Sequence, residues 1–491
     1  MHLDRIVPAH SLRYWTAQQA LVALVPALFL TALVMFVPPM MVDGDPLSHI
    51  ATGQWMIEHG AVPHSDPFSY TMPGAPWTAH EWLSELLMAE AYRLTGLSGL
   101  NVLFGFAVAA TGFFLAVTLL RFLPPVPAMI VLTFALAHLG ENVQARPHIL
   151  VLPILVLWMG ELLAARQEQR APGWILIPVM VLWANLHGSF FVGLCLLAPF
   201  ALEAAIAAKG KWPQALRPWA MISVGSLLAA LVTPTGVSGF VFPLKLMAMT
   251  SLSLILEWQS VIFVGLNSFE VCLLGTLFFC LMRGVKMPLI RLLLLLGLLH
   301  EALQHRRHIM IVVLLGAMLL AEPIADALKS RAGSKPAAPA PQIMRRAGSA
   351  ALLFLLALSG VRLAIARPLV DADQVPITAL SHVPQSIARE PVFNQYNLGG
   401  YLMFIGVRPF IDGRADMYGD AFMTNYGHIV SDQDKDALQQ TFAKYGVVWT
   451  VFTPGHPFNA FLDELPGWRL LYEDKFVVVH VRSDVDSAAG N

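Results

Sequence analysis

Asp43-Gly44-Asp45 stands just after a hydrophobic run, and cationic or histidine-bearing groups recur at wide intervals: His80, Arg146-Pro147-His148, His187, His300 and His305-Arg306-Arg307-His308. A carboxylate brought together with guanidinium groups can remove a proton from a hydroxyl nucleophile, while arginine forks hold an anionic leaving group in two parallel hydrogen bonds. Asp45 precedes Pro46 and reads as an N-cap with proline at the first helical position. Asp66 before Pro67 reads as a turn, and Thr78-x-x-Glu81 as a capping box. Asp43 has no such local task, and Gly44 beside it lets a ligand approach the backbone. Asp43 and Asp45 are therefore the candidate catalytic acids, with Asp43 as general base. Arg306 and Arg307 are the first candidates for an anion, and Arg146 the next. His49, His80, Glu81, His148, His187 and His305 are candidate substrate contacts. His305 and His308 have only Glu301 nearby in sequence, short of the three or four converging ligands of a zinc site, so hydrogen bonding is the better reading. Each outer arginine also fits a headgroup anchor, and Asn185-Leu186-His187-Gly188 also fits a helix end capped by Gly188.

Residues so far apart in sequence need a scaffold. Of 491 residues, 56% are hydrophobic and 13% charged, against roughly a quarter charged in soluble domains, and the mean hydropathy is +0.63. These values predict an α-helical polytopic membrane protein. The net charge of -1 gives no basic field for nucleic acid. Cys195, Cys272 and Cys280 lie in apolar runs and form no disulfide framework. A span needs about 20 mostly apolar residues. Eleven are expected, near 18–41, 99–121, 125–142, 147–165, 173–187, 188–208, 218–234, 266–284, 287–304, 307–328 and 347–366, the first an uncleaved anchor. Lys and Arg set the orientation. With the N-terminus in the cytoplasm, the inner side holds sixteen, Arg5, Arg13, Arg121, Arg166, Arg170, Lys209, Lys211, Arg217, Arg283, Lys286, Arg291, Lys329, Arg331, Lys335, Arg345 and Arg346, and the outer loops only five, Arg93, Arg146, Lys245, Arg306 and Arg307. The candidate residues then share the outer face of the cytoplasmic membrane.

The expected domains are a membrane domain over 1–366, a cytosolic Ala/Pro-rich linker at 329–346 within it, and an extracytoplasmic α/β domain over 368–491. In the last, strands are expected at Val447–Phe452 and Lys475–Arg482, and helices at Asp434–Tyr445 and Pro457–Leu465. Residues 42–98 form an outer loop too long for a simple connection. Leu47, Ile50, Ala51 and Trp55 predict an interfacial helix there, and a second helix runs from about Ala79 to Leu94.

A long first outer loop with an acidic motif after the first span, many spans and an outer C-terminal domain resembles the GT-C superfamily of integral membrane glycosyltransferases. DGDPLSHIATGQW, DPFSYT, PWTAHEWL, ARPH, WANLHGSF and FIDGRADMYG are similar to a group of bacterial membrane proteins described as glycosyltransferases. The resemblance implies a GT-C-like fold and places the superfamily's first-loop acid at Asp43 or Asp45, although mannosyltransferase-like members carry Asp-Glu there. Asn394 to Tyr401, followed by Asp412-Gly413-Arg414, is similar to the acceptor-recognition motif of oligosaccharyltransferases but lacks its tryptophans. Asp412 and Arg414 are thus candidate substrate contacts, although with Asp416 they read first as a structural ion-pair network. The implied activity is inverting transfer of a hexosyl-type sugar from a polyprenyl-phosphate donor to a lipid, glycan or protein, among membrane lipids. No cofactor is expected; a divalent metal, Mg2+ or Mn2+ at Asp43 and Asp45, is the exception that oligosaccharyltransferases bring in, although two aspartates are a thin ligand set. The alternatives are a transporter or flippase of lipid-linked glycans, and a non-catalytic component of an envelope polysaccharide assembly. Charges gathered at span ends rather than mid-bilayer argue against transport.

Overall fold

The protein is described here from a computed structural model covering residues 17–36, 44–332, 341–432 and 435–485. Asp43 and residues 333–340 of the expected linker lie outside the described residues. Among the described residues, fourteen α-helices precede the C-terminal region: α1 (Ala17–Phe36), α2 (Asp45–His59), α3 (Trp82–Thr95), α4 (Leu97–Phe122), α5 (Pro125–Asn142), α6 (Pro147–Gln167), α7 (Leu176–Leu186), α8 (Phe190–Ala207), α9 (Trp212–Ala229), α10 (Val237–Met247), α11 (Ser268–Arg283), α12 (Leu289–Gln304), α13 (Ile309–Ala332) and α14 (Pro341–Ala364).

Every expected span falls on one of these helices, but the number of membrane-length helices is not eleven. Among the described residues five are long and apolar enough to cross a membrane: Leu97–Phe122, Pro147–Gln167, Phe190–Ala207, Arg306–Leu328 and Arg345–Ala364. The physical reason is length and interruption. The 16-residue helices α11 and α12 extend about 24 Å, short of a hydrocarbon core about 30 Å thick. Helix α7 has only 11 residues, and α9 carries Arg217 and two prolines. Four shorter apolar helices, Ala20–Phe36, Pro125–Gly140, Leu176–Leu186 and Val237–Met247, accompany the five. Apolar side chains face outward, with Leu281 74% and Leu353 68% exposed, as expected of a surface that meets lipid rather than water. Hydroxyls inside the bundle are turned back onto their own helices: Thr31, Thr111 and Thr118 each donate to the carbonyl four residues earlier.

The first loop is held by close backbone approach. Pro46 opens α2, and Gly60, in the left-handed region with φ 63°, closes it by donating to the Met56 carbonyl. Asp45 lies in the first turn, and Gly44 takes the N-cap place expected for it. Gly53 lets α2 rest on α3; a Cβ there would meet the Glu85 carbonyl oxygen at 2.1 Å. The capping box is not formed. Helix α3 starts at Trp82, with Glu81 as N-cap and no side-chain cap bond, because the Glu81 carboxylate is drawn to histidines on other elements.

The C-terminal region is a four-stranded sheet with helices, in the order β1-β2-β4-β3: β1 (Val392–Asn394), β2 (Trp449–Phe452), β3 (Trp468–Glu473) and β4 (Val478–Arg482). β1 pairs with β2 in parallel; the other pairs are antiparallel. β2 and β4 lie within the two expected strand runs, and helices Lys435–Tyr445 and Pro457–Asp463 match the two expected ones. Phe393 packs against Phe410, Phe442, Phe452 and Phe458. The fully buried Asn394 accepts from the Phe410 N–H and donates to the Ile411 carbonyl, both at 2.8 Å. That pair fixes the 410–412 segment and so aims the Asp412-Gly413-Arg414 motif.

Replacing Gly53 by Ala should destabilise the α2–α3 contact by about 1–3 kcal/mol through overpacking. Thermal unfolding in detergent, against Gly74→Ala, where the added Cβ meets nothing within 4 Å but the backbone has φ 72°, separates steric conflict from loop strain.

Candidate functional site

Three helix ends and two loops converge beside the first loop. Helix α7 stops at Leu186 because His187 is extended, at φ -167° and ψ 145°. This is the helix break read from the sequence, with His187 rather than Gly188 as the C-cap. The break is fastened to α3: Trp82 Nε1 donates to Asn185 Oδ1 at 2.9 Å and Ser84 Oγ to the Leu186 carbonyl at 2.7 Å. The Ser189 N–H donates to His187 Nδ1 at 2.9 Å, leaving Nε2 to face Glu81 Oε1 at 3.2 Å. His80 Nε2 is 3.5 Å from the same oxygen, and His49 Nδ1 3.8 Å from Oε2. His49 Nδ1 also lies 3.2 Å from Glu85 Oε1. His148 faces His187, with ring centroids 6.2 Å apart, and His80 stacks on Phe242 at 3.7 Å. Glu81 is thus the hub of a histidine cluster.

The electrostatics follow from this arrangement. Burial alone raises the Glu81 carboxyl, but His80, His187 and His49 more than reverse that and hold it well below the usual carboxylate range. Burial pushes the Glu85 carboxyl up, with the His49 hydrogen bond opposing. Burial lowers His49, yet Glu85 and Glu81 leave it raised overall. Asp416 is pushed up to about 6 by burial, against the pull of His80 and Arg414.

Beside the histidines lies a chain of ion pairs. Arg146 Nη2 meets Asp45 Oδ2 at 2.9 Å, and its Nη1 meets Glu257 Oε2 at 2.5 Å. Arg307 Nη1 is 3.6 Å from the other Glu257 oxygen, and its guanidinium lies 4.2 Å over the Trp258 ring. His305 Nδ1 is 2.9 Å from the Trp258 carbonyl, and the Arg306 N–H donates to Gln259. The short 256–259 turn is therefore held against the 305–308 segment, and Glu257 sits between two guanidiniums. Burial raises its carboxyl, and Arg146 and Arg307 outweigh that, so it is lowered and ionised at neutral pH.

A third group joins the first loop to the C-terminal region. Arg414 Nη1 donates to Asp66 Oδ1, and its Nη2 to Asp412 Oδ2, both at 2.7 Å; Nε bonds Asp412 Oδ1 at 2.8 Å. Its guanidinium lies between the Phe68 and Trp77 rings, 5.1 and 4.8 Å away. Tyr418 completes Asp412 at 2.8 Å, and Asp66 also closes its own turn through the Phe68 N–H. Gly413 is backed by Asp45, whose Oδ1 would lie 2.7 Å from a Cβ there. The motifs around 45 and 413 thus meet in space.

Of the sequence candidates, Asp45, Arg146 and Arg307 form one connected group, and His49, His80, Glu81, His148 and His187 another. Asp412 and Arg414 are buried and bonded to each other and to Asp66. Arg306 is exposed, with no side-chain partner among the described residues, and His300 is exposed. Glu85, Glu257 and Trp258 were not singled out from the sequence. A carboxylate two residues past Leu-Ile in an outer loop poor in cations was the available signal for Glu257. Glu85, four residues after Glu81, shares its helix face.

His49, Glu81 and Glu85 offer ligand atoms all within 4.8 Å of one another, a potential divalent-metal site. One nitrogen and two carboxylates suit Mn2+ or Zn2+ better than Mg2+. Glu85 Oε2 is buried with no hydrogen-bond partner, so its lone pairs fit a cation at this place. The cluster is distinct from Asp43 and Asp45, the pair to which the sequence assigns metal only as an exception.

No family model and no curated protein matches the chain. Among solved structures, the archaeal oligosaccharyltransferase AglB from Archaeoglobus fulgidus, in complex with an inhibitory peptide and a dolichol-phosphate, aligns at a TM-score of 0.60 and 11% identity, over 95% of this chain and 74% of that one. ArnT from Cupriavidus metallidurans, in the apo state and bound to undecaprenyl phosphate, aligns at 16% identity over 97% of this chain and 99% of that one. Its TM-scores of 0.35 and 0.25 are too low to carry a fold argument. The chain shares the overall fold of AglB.

Asp416 should be neutral below about pH 6 and charged above it. Its raised value means the folded state binds a proton more tightly than the unfolded one, so this group lowers stability as pH climbs from about 4 to about 6. Asp416→Asn should abolish that decline: the melting-temperature difference between variant and wild type should grow in the variant's favour up to about pH 6 and then level off.

Proposed function

We propose that the protein transfers a sugar from a polyprenyl-phosphate-linked donor to a hydroxyl or amide acceptor on a lipid, glycan or protein, at the outer face of the cytoplasmic membrane. The observation that carries the reading is the pair of guanidiniums of Arg146 and Arg307, facing one carboxylate, next to Asp45 and the histidine-ringed Glu81. In this reading the donor phosphate takes the place of Glu257 between the two arginines. They stabilise the charge that develops as the phosphate leaves. The acid of the first loop, Asp43 or Asp45, removes the acceptor proton as the acceptor attacks the anomeric carbon from the face opposite the phosphate, giving inversion. The histidines hold the sugar by hydrogen bonds. A divalent cation at His49, Glu81 and Glu85 would add positive charge beside the departing phosphate. Shared fold with an oligosaccharyltransferase supports the donor class; so does the scarcity of Lys and Arg on the loops carrying these residues. The same bias supports a cytoplasmic N-terminus, a cytosolic linker at 329–346 and an extracytoplasmic domain over 368–491.

Purified protein given a polyprenyl-phosphate sugar together with a membrane extract as the source of acceptors should release polyprenyl phosphate. Arg146→Gln and Arg307→Gln should each lower that rate by about 10²–10³-fold, Asp43→Asn or Asp45→Asn should abolish it, and Glu257→Gln should lower the KM for donor by removing its competitor. Unchanged turnover in both arginine variants would end the reading, as would cysteine labelling that places positions 45 and 307 on opposite leaflets.

A further inference from the structure

Away from that site, a second pair of arginines lies where α14 ends against the start of α4. Arg362 is 2% exposed. Its Nη2 lies 3.2 Å from Asn101 Oδ1 and its Nη1 2.9 Å from the Ile365 carbonyl. Arg367, half-buried, reaches the same Asn101 oxygen at 3.5 Å. Arg362 Nε is buried with no acceptor. Two guanidiniums therefore share one neutral amide oxygen, and among the described residues no carboxylate pairs with either.

This arrangement contrasts with the cationic groups described above. Arg146, Arg307 and Arg414 each face at least one acid, as do Arg166 and Arg291. Like charges held close together without a counter-charge repel, and a buried guanidinium with an unfilled donor is costly. The first turns of the 26-residue α4 lie here too, since Asn101 is its fifth residue and Ser98 Oγ donates to the Ile365 carbonyl at 3.0 Å. Its N-terminal amides add partial positive charge. The group also lies at the outer end of the bundle in the orientation proposed above, because Asn101 Nδ2 reaches the Val34 carbonyl near the end of α1, which leads into the first loop.

We propose that Arg362, Arg367 and Asn101, at the N-terminal end of α4, form a binding site for the phosphate group of a membrane lipid, separate from the Arg146–Arg307 site. A phosphate supplies the acceptor oxygens that Arg362 Nε lacks and neutralises both guanidiniums, with Arg367 as the outer contact and Arg362 as the inner one. The neutral Asn101 tolerates an anion where a carboxylate would repel it.

Delipidated full-length protein in neutral detergent tests this through its melting temperature during titration with phosphatidylglycerol, with polyprenyl phosphate and with inorganic phosphate. The expected result is a saturable rise with a phosphate-bearing lipid, with the apparent Kd weakened about tenfold in Arg367→Gln. Whichever lipid produces the effect identifies the source, and a rise with inorganic phosphate alone assigns the site to free phosphate instead, overturning the lipid assignment. Arg367→Lys should retain part of the affinity, which a purely packing role would not require. Arg146→Gln should leave the phosphatidylglycerol titration unchanged; if it removes that effect, the phosphate sits in the other site and the proposal fails. Identical curves for wild type and Arg367→Gln also overturn it, and because Arg367 is only half-buried this variant can be read even if Arg362→Gln does not fold.

Discussion

The site depends on one buried cation. Arg414 spends three of its donors on two acids, Asp66 from the first loop and Asp412 from the C-terminal region, and the Phe68 and Trp77 rings cover its faces. Breaking such a group by removing one partner costs on the order of 3–5 kcal/mol, because a buried charge is left alone. The interaction joins segments almost 350 residues apart, with |i−j| of 348. It holds Gly413 against Asp45, and Asp45 in turn reaches Arg146. Thr71 and Tyr70, which donate to the Phe410 and Val392 carbonyls, run the same seam with neutral groups. The geometry of the candidate site is therefore set from outside the bundle as much as by the helices.

The neighbouring charges obey a different economy. Glu257 divides its two oxygens between Arg146 and Arg307. An exchangeable anion can replace a carboxylate held this way without leaving either guanidinium unpaired, whereas the Asp412–Arg414 pair is closed on every side. The position of Glu257 favours exchange: it lies in a three-residue 3-10 turn between exposed Leu256 and half-buried Trp258, not in a long helix whose packing would resist movement. The Trp258 ring under Arg307 and the Trp258 carbonyl at His305 nevertheless keep that turn in register with the 305–308 segment.

Composition made the helical membrane class legible, and turn and strand patterns located β2, β4 and two C-terminal helices. The number of membrane-length helices was not legible, because apolar runs such as 266–284 and 287–304 look span-like in sequence while their helices are 16 residues long. β1 and β3 were missed: β1 is three residues long, and β3 alternates only partly buried positions. Local motifs were right about Asp66, whose turn bonds are present. They were wrong about Thr78 and Glu81, because a carboxylate near three histidines gains more from them than from capping its own helix. Long-range partners explain the remaining misses. Nothing around Glu257 or Asp416 in the chain announces an arginine 111 residues away in sequence or a histidine on the first loop.

The acids around His80 have been driven in opposite directions. Glu81, with three histidines, is held ionised; Asp416, with burial dominant, rises to about 6. Paired carboxyls with separated affinities can divide acid and base work at one pH, and His80 feels both. The separation arises because the two acids come from different parts of the chain. Glu81 is the N-cap of α3, where the α7 break delivers His187 to it. Asp416 begins the Ala415–Asp432 helix and enters from the C-terminal region, sharing its surroundings with Arg414. Undocking the first loop would take Glu81 and His80 away from Asp416 and remove burial that raises that carboxyl. The protonation state beside the histidine cluster is thus a consequence of the same Arg414 contact that places Asp45, so electrostatics and docking in this region are one equilibrium rather than two.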